Sequence, residues 1–137
     1  MELDINWLAI TLATVFSVFL AIAWYNDGLF GKQWRRLTGV TPKDSAKAGN
    51  ASMVIVVLAN IVTVVALAVA IAITEVAFSN DSLWVALAVG LVACVAFSTS
   101  TLQTHNLFEL KPHRLTTINT SYQLVFFVGA ALIIGLM

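Results

Sequence analysis

The sequence predicts an all-α membrane protein in which four transmembrane helices form an antiparallel bundle. Of its 137 residues, 60% are hydrophobic and only 10% are charged, whereas soluble domains usually carry about 25% charged residues. The mean hydropathy is +0.93. All seven Lys and Arg residues lie in two segments, 32–47 and 111–114. This segregation of charge argues against a soluble nucleic-acid-binding protein with a basic face.

Four stretches are long and apolar enough to cross a bilayer core, which takes about 20 residues of α-helix. We place them at about 5–24, 51–73, 83–104 and 118–137, within a single transmembrane domain over 1–137. The first stretch follows acidic residues and is longer than the apolar part of a signal peptide, so we expect a retained helix.

The distribution of Lys and Arg predicts the orientation. The first loop carries five of these residues and the third loop carries two, whereas the second loop, 74–82, carries none. Because basic residues are enriched in cytoplasmic loops, we expect loops one and three in the cytoplasm and both termini outside, in the periplasm.

The ends of the predicted helices carry further signals. Trp and Tyr prefer the membrane–water interface, and they stand at the outer side (Trp7 and Trp84) and at the cytoplasmic side (Trp24, Tyr25 and Trp34). The segment Thr41-Pro42-Lys43-Asp44 is typical of a helix start, with a capping residue, Pro at the first helical position and an early acid. It predicts a short surface helix that leads into the second span.

The two halves of the chain share a pattern that indicates an internal repeat. The matched pairs are Asp4-x-x-Trp7 with Asp81-x-x-Trp84, Leu29-Phe30 with Leu107-Phe108, and Asn50-Ala51-Ser52 with Asn119-Thr120-Ser121. A duplicated helical hairpin would produce parallel repeats related by an axis along the membrane normal. The alternative is chance agreement between helices that are rich in Ala and Val.

Polar residues cluster in the cytoplasmic halves of the third and fourth helices, and polar groups inside a span tend to face other helices or a cavity. We select as ligand or pathway candidates Ser98, Thr101, His105, Asn119, Tyr122, Gln123 and, in the middle of the second helix, Asn60. The spacing of Cys94, Ser98, Thr101 and His105 predicts that they share one helix face. Hydrogen bonding between helices is the alternative role for all these groups, and for Asn60 it would fix the helix register.

Other chemistry lacks a signal in the sequence. Cys94 is the single cysteine and stands in an apolar run, and His105 has no second ligand at metal-binding spacing. No catalytic triad, phosphate loop or paired catalytic carboxylates appear. We therefore expect no enzymatic activity, metal or cofactor.

Four blocks of sequence carry a family resemblance. They are Ile5-Asn6-Trp7-Leu8-Ala9; Trp24-Tyr25 with Leu29-Phe30-Gly31-Lys32 and Trp34; Asn106-Leu107-Phe108-Glu109 with Pro112; and Ile118-Asn119-x-x-Tyr122-x-Leu124-Val125. Over the whole chain they resemble the bacterial family known as domain of unknown function 1761, DUF1761. The resemblance implies four spans in a bacterial inner membrane, and it does not indicate which activity the protein has. The chain departs from the family at Asn26-Asp27-Gly28, where a Ser-Pro-like turn is expected, which leaves the local turn geometry open.

Two classes of function fit these observations. The first is a small module that binds or passes a small solute or ion through a polar site in its cytoplasmic half. The second is a non-catalytic accessory or structural subunit whose polar residues only hold helices together. In either case we expect the lipid bilayer as a partner and no nucleic acid, and small residues at a spacing of four, such as Ala86 and Gly90, allow a homo-oligomer.

Overall fold

The computed structural model describes residues 3–137, and this part of the chain is helical with no strands. Its helices are α1 (Trp7–Trp24), α2 (Gly31–Thr38), α3 (Pro42–Phe78), α4 (Leu83–Ala93), α5 (Ser100–Phe108) and α6 (His113–Gly135). A π-helical turn, Cys94–Thr99, joins α4 and α5 into one continuous span, Leu83–Phe108. Among the described residues, four helical spans are long and apolar enough to cross a membrane. The predicted all-α class and its four apolar helices are confirmed.

The start of α3 follows from its sequence. Thr41 Oγ1 accepts a hydrogen bond from the Asp44 backbone N–H at 3.2 Å, and the Asp44 carboxylate accepts one from the Thr41 N–H at 2.8 Å. This reciprocal pair satisfies two backbone donors that a helix start otherwise leaves unpaired. Seven residues after Pro42, Gly49 has a φ of 65° and a ψ of −169°, a conformation open essentially only to glycine. The segment 42–48 is thus a short helix set off by a kink from the long apolar part of α3.

The core is shared by all four long spans. Its buried apolar residues come from α1, α3, α4 and α6: Ile10, Ala13, Val64, Leu67, Ala68, Ile71, Ala86, Phe126, Ala130 and Ala131. Helices α4 and α6 pack closely. A Cβ atom on Gly90 would lie 2.6 Å from the Ala131 Cβ, and one on Gly135 would lie 2.6 Å from the Ala86 Cβ. Small residues at spacing four therefore let these two backbones approach each other.

Helix α3 belongs to this core over only part of its length. Its buried residues begin at Asn60 and continue through Ala72, whereas residues 42–56 are all exposed. The exposed part lies toward the basic end of the molecule, which we define as the end that carries α2, the start of α3 and the α5–α6 turn. Over this part α3 stands apart from the other helices, and a cavity lies between them.

The α1–α2 turn places α2 beside that cavity. The Asn26 carbonyl accepts hydrogen bonds from the Leu29 N–H at 3.0 Å and from the Gly31 N–H at 2.9 Å, and the Asn26 side chain accepts one from the Gly28 N–H at 2.9 Å. Gly31 is buried directly against the backbone of Tyr25 and Asn26 and has no room for a Cβ atom. The sequence Asn26-Asp27-Gly28 therefore forms its own closed turn.

Alanine at Gly31 is expected to destabilise the protein by about 1–3 kcal/mol, because the added methyl group meets a backbone that cannot move aside as a side chain would. A reversible unfolding titration in mixed micelles measures the change. Gly28→Ala is the matched control, since its Cβ would lie 3.4 Å from the Asn26 Oδ1, an ordinary contact. Equal stability of the two variants would contradict the close contact at Gly31.

Candidate ligand-binding cavity

A cavity of about 820 Å³ lies between α1, α3 and α6, with α2 beside it at the basic end. Ligand sites typically occupy about 300–1,000 Å³, so this volume suits a small molecule. We call it the central cavity. Its polar and aromatic lining side chains are Tyr25, Trp34, Arg35, Ser45, Asn60, Asn119, Tyr122 and Gln123.

Four of the seven residues selected from the sequence meet in the central cavity. They are Asn60 from α3 and Asn119, Tyr122 and Gln123 from α6. The other three, Ser98, Thr101 and His105, do not line it. Thr101 and His105 are exposed and Ser98 is half-buried, and the Thr101 hydroxyl donates to the Phe97 carbonyl of its own helix.

The π-helical turn explains why His105 lies elsewhere. A π turn bonds residues i and i+5 and adds one residue to the helix, which rotates everything beyond it by about 100°. A regular helix would place His105, eleven residues after Cys94, on the face of that cysteine. With one residue added to the helix, Asn106 instead of His105 lies on the same face as Cys94. Cys94 and Asn106 are 0% and 7% exposed, and the Asn106 Nδ2 donates to the Thr116 Oγ1 at 3.0 Å.

A second, smaller cavity of about 190 Å³ lies between α5 and α6. Its lining residues are Gln103, Leu107, His113, Thr116, Thr117 and Thr120. Two of its threonine hydroxyls are already engaged within α6, because the Thr117 hydroxyl donates to the His113 carbonyl at 3.0 Å and the Thr120 hydroxyl to the Thr116 carbonyl at 2.9 Å. Within residues 3–137, no group of three or more His, Cys, Asp and Glu side chains is placed to hold a metal ion.

Tyr25 organises one wall of the central cavity. Its hydroxyl donates to the Asn119 Oδ1 at 3.0 Å, and its ring centroid lies 5.5 Å from those of both Trp34 and Tyr122. Burial, followed by a smaller effect of Tyr122, raises the pKa of the Tyr25 hydroxyl to about 12. The group therefore stays protonated at neutral pH and remains a donor. Because it occupies the Asn119 carbonyl oxygen, it leaves the Asn119 amide nitrogen for other partners.

The end of α1 is also tied to α6. The Trp24 Nε1 donates to the Ile118 carbonyl at 3.2 Å, and the Trp24 ring lies 4.7 Å from that of Phe30. From the sequence these aromatic residues were expected to mark the membrane interface. Their contacts with α6 additionally fix the wall on which Asn119 and Tyr122 stand. The one feature that could have indicated these contacts is the position of Tyr25 beside the polar part of α6, and that position is set by the tertiary structure.

Asn60 lies deepest among the α3 residues that line the central cavity. The residue is 8% exposed, and its Nδ2 atom is buried without a hydrogen-bond partner. A buried polar group left unpaired costs about 1–3 kcal/mol. The amide nitrogen thus lacks a hydrogen-bond partner in the described structure, and Asn60 lies in the lining of the central cavity.

Arg35 is the one charged residue in the cavity lining. Its Nε atom lies 3.2 Å from the Asp27 Oδ1, and 30% of its side chain is exposed. The sequence indicated Arg35 only as one of several basic loop residues. Its place at the cavity follows from the tight α1–α2 turn described above.

The comparison with protein families identified one family. The model of DUF1761, described as "Protein of unknown function (DUF1761)", matches residues 8–135. No curated protein and no solved structure matches the chain. Since the family model covers nearly the whole chain, the resemblance expected from the sequence is confirmed: the chain belongs to the DUF1761 family of proteins of unknown function.

Proposed function

We propose that this protein binds a small molecule in the central cavity, as a multi-pass protein of a bacterial inner membrane. The observation that carries the proposal is the buried, unpartnered amide of Asn60 at the wall of an 820 Å³ cavity. Folded proteins pair the large majority of their buried side-chain polar atoms. An unpaired donor beside a cavity of ligand size is therefore best explained by a partner that arrives with the ligand.

The walls of the central cavity support the same proposal. Polar groups from α6 and α2, with Asn60 of α3, share the lining with apolar residues of α1 and α3. Binding sites for small molecules typically combine a mainly apolar lining with a few polar groups that fix orientation. An accessory subunit that uses polar residues only to join helices would not need an open volume between them.

A thermal-shift screen of small molecules on the purified protein tests binding. We expect a stabilising compound, because a ligand at 100 times its Kd adds about 2.7 kcal/mol to the stability of the folded state. Asn119→Ala is expected to remove the shift, since Asn119 lines the central cavity. Thr117→Ala is the matched control, because Thr117 lies outside that lining and bonds the His113 carbonyl of its own helix. A shift that survives Asn119→Ala unchanged would place the ligand elsewhere.

We propose that the basic end faces the cytoplasm and that both termini face the periplasm, as the Lys and Arg distribution favours. Single cysteines at two exposed serines test this, with native Cys94 replaced by Ala: Ser79→Cys in the α3–α4 turn and Ser45→Cys at the start of α3. In intact cells, a membrane-impermeant maleimide that has crossed the outer membrane is expected to label Ser79→Cys and not Ser45→Cys. The reverse pattern would invert the proposed orientation.

A further inference from the structure

The charge of the central cavity limits what it can bind. Among its lining residues Arg35 is positive and there is no Asp or Glu. The Asp27 carboxylate pairs with the Arg35 Nε, which leaves the two terminal guanidinium nitrogens without a hydrogen bond in the described structure. A cation would find no opposite charge in this lining, whereas an anion finds an arginine, whose planar fork suits carboxylate and phosphate groups.

The hydrogen-bonding groups of the cavity favour an acceptor. The Asn60 Nδ2 has no partner. The Asn119 Oδ1 already accepts from Tyr25, whereas the nitrogen of that amide, a donor, has no partner in the described structure. Arg35 and Asn119 in the lining therefore offer N–H groups to a ligand.

The opposite side of the cavity is apolar and open. Ile22 of α1 and Met53 and Val56 of α3 line the cavity, yet they are 54%, 54% and 44% exposed. The lining therefore continues onto the outer surface between α1 and the separated part of α3. In a membrane this surface faces lipid, and an apolar chain can pass through the gap without meeting water.

We propose that the ligand is an amphiphile with an anionic, hydrogen-bond-accepting head group and one apolar chain, and that it enters from the bilayer. The head group lies on the polar side, against Arg35 and Asn119, and the chain lies between α1 and α3. This inference rests on the proposed function, because it names the class of molecule that the same cavity binds.

The test uses the full-length protein in nanodiscs of phosphatidylcholine and three probes that share one chain length: dodecanoate, dodecanol and dodecyltrimethylammonium. Acetate supplies the head group without the chain. Binding is followed by the fluorescence of Trp34, which lines the cavity, with Trp7 and Trp84 replaced by Phe and with Trp24 retained because it bonds the Ile118 carbonyl. We expect dodecanoate to bind at least about tenfold more tightly than the other probes, since a hydrogen bond to a charged group is worth about 1.5 kcal/mol or more.

Two variants separate the arginine from its ion pair. Arg35→Gln is expected to weaken dodecanoate binding about tenfold and to leave dodecanol binding unchanged. Asp27→Asn breaks the same ion pair but keeps the arginine, so dodecanoate binding should persist or tighten. Arg36→Gln removes the neighbouring exposed charge and controls for net charge; an equal effect of Arg36→Gln and Arg35→Gln would mean surface attraction only and would overturn the proposal.

The outcomes distinguish this inference from the proposed function. Tighter binding of dodecyltrimethylammonium or dodecanol than of dodecanoate would show that the class is wrong while the cavity still binds ligands, and acetate binding as tight as dodecanoate binding would show that the chain plays no part. If no probe binds but a screened compound gives a shift that depends on Asn119, the class is again wrong and the proposed function stands. If neither the probes nor the screen gives such a signal, both fail.

Discussion

Leucine in place of Gly90 is expected to lower the free energy of unfolding by about 2 kcal/mol. A Cβ atom at this position would lie 2.6 Å from the Ala131 Cβ and 3.1 Å from the Phe127 carbonyl oxygen. Overpacking of this kind costs about 1–3 kcal/mol, toward the upper end here because part of the obstacle is backbone. The better helix propensity of leucine returns less than about 1 kcal/mol. The change is measured by reversible unfolding in mixed micelles.

Ala88→Leu is the matched control for this substitution. Ala88 stands two residues away on α4 and is exposed, so its larger side chain meets no protein neighbour, and surface changes usually stay within about 0.5 kcal/mol. If both variants unfold alike, the close approach of α4 and α6 is not what stabilises this pair of helices.

This close approach shows how far the fold can be predicted from the sequence. The length and apolarity of the four stretches predict four long helices, because a helix is the simple way to satisfy a backbone inside a bilayer. The spacing of Ala86 and Gly90 indicates a surface suited to close helix contact. It does not indicate which helix makes the contact, since Ala131 and Gly135 of α6 are only one of several small-residue pairs in the chain.

The candidate site shows where prediction from the sequence ends. Asn60, Asn119, Tyr122 and Gln123 are conspicuous because polar groups are rare in apolar spans. The π turn at Cys94–Thr99 has no comparable signal, so the face assigned to His105 shifts to Asn106. Arg35 and Tyr25 reach the cavity through the turn at Gly31, and the cavity itself depends on where α3 leaves the core. These are tertiary features, which helical periodicity does not encode. The duplication of the helical hairpin, which the sequence also predicts, stays a prediction.

Leucine in place of Asn60 is expected to affect stability and binding in opposite directions. Without ligand, the substitution removes a buried amide nitrogen that has no partner, so the free energy of unfolding should rise by about 1–3 kcal/mol. The cavity beside the residue gives the leucine side chain room. With the ligand found by thermal shift, the same substitution should abolish the additional stabilisation, because the donor that meets the ligand is gone. Stability and function commonly oppose each other at sites of this kind.

The neighbouring threonine supplies the control. Thr63 stands nearly one turn further along α3, and its hydroxyl donates to the Ala59 carbonyl of its own helix at 2.9 Å, so Thr63→Val should leave both stability and ligand shift nearly unchanged. A loss of stability in Asn60→Leu without ligand would show that the amide holds helices together, as the accessory-subunit interpretation requires. A gain in stability together with a lost ligand shift is the result expected if Asn60 serves binding, because an amide that held helices together could not be removed with benefit to the empty protein.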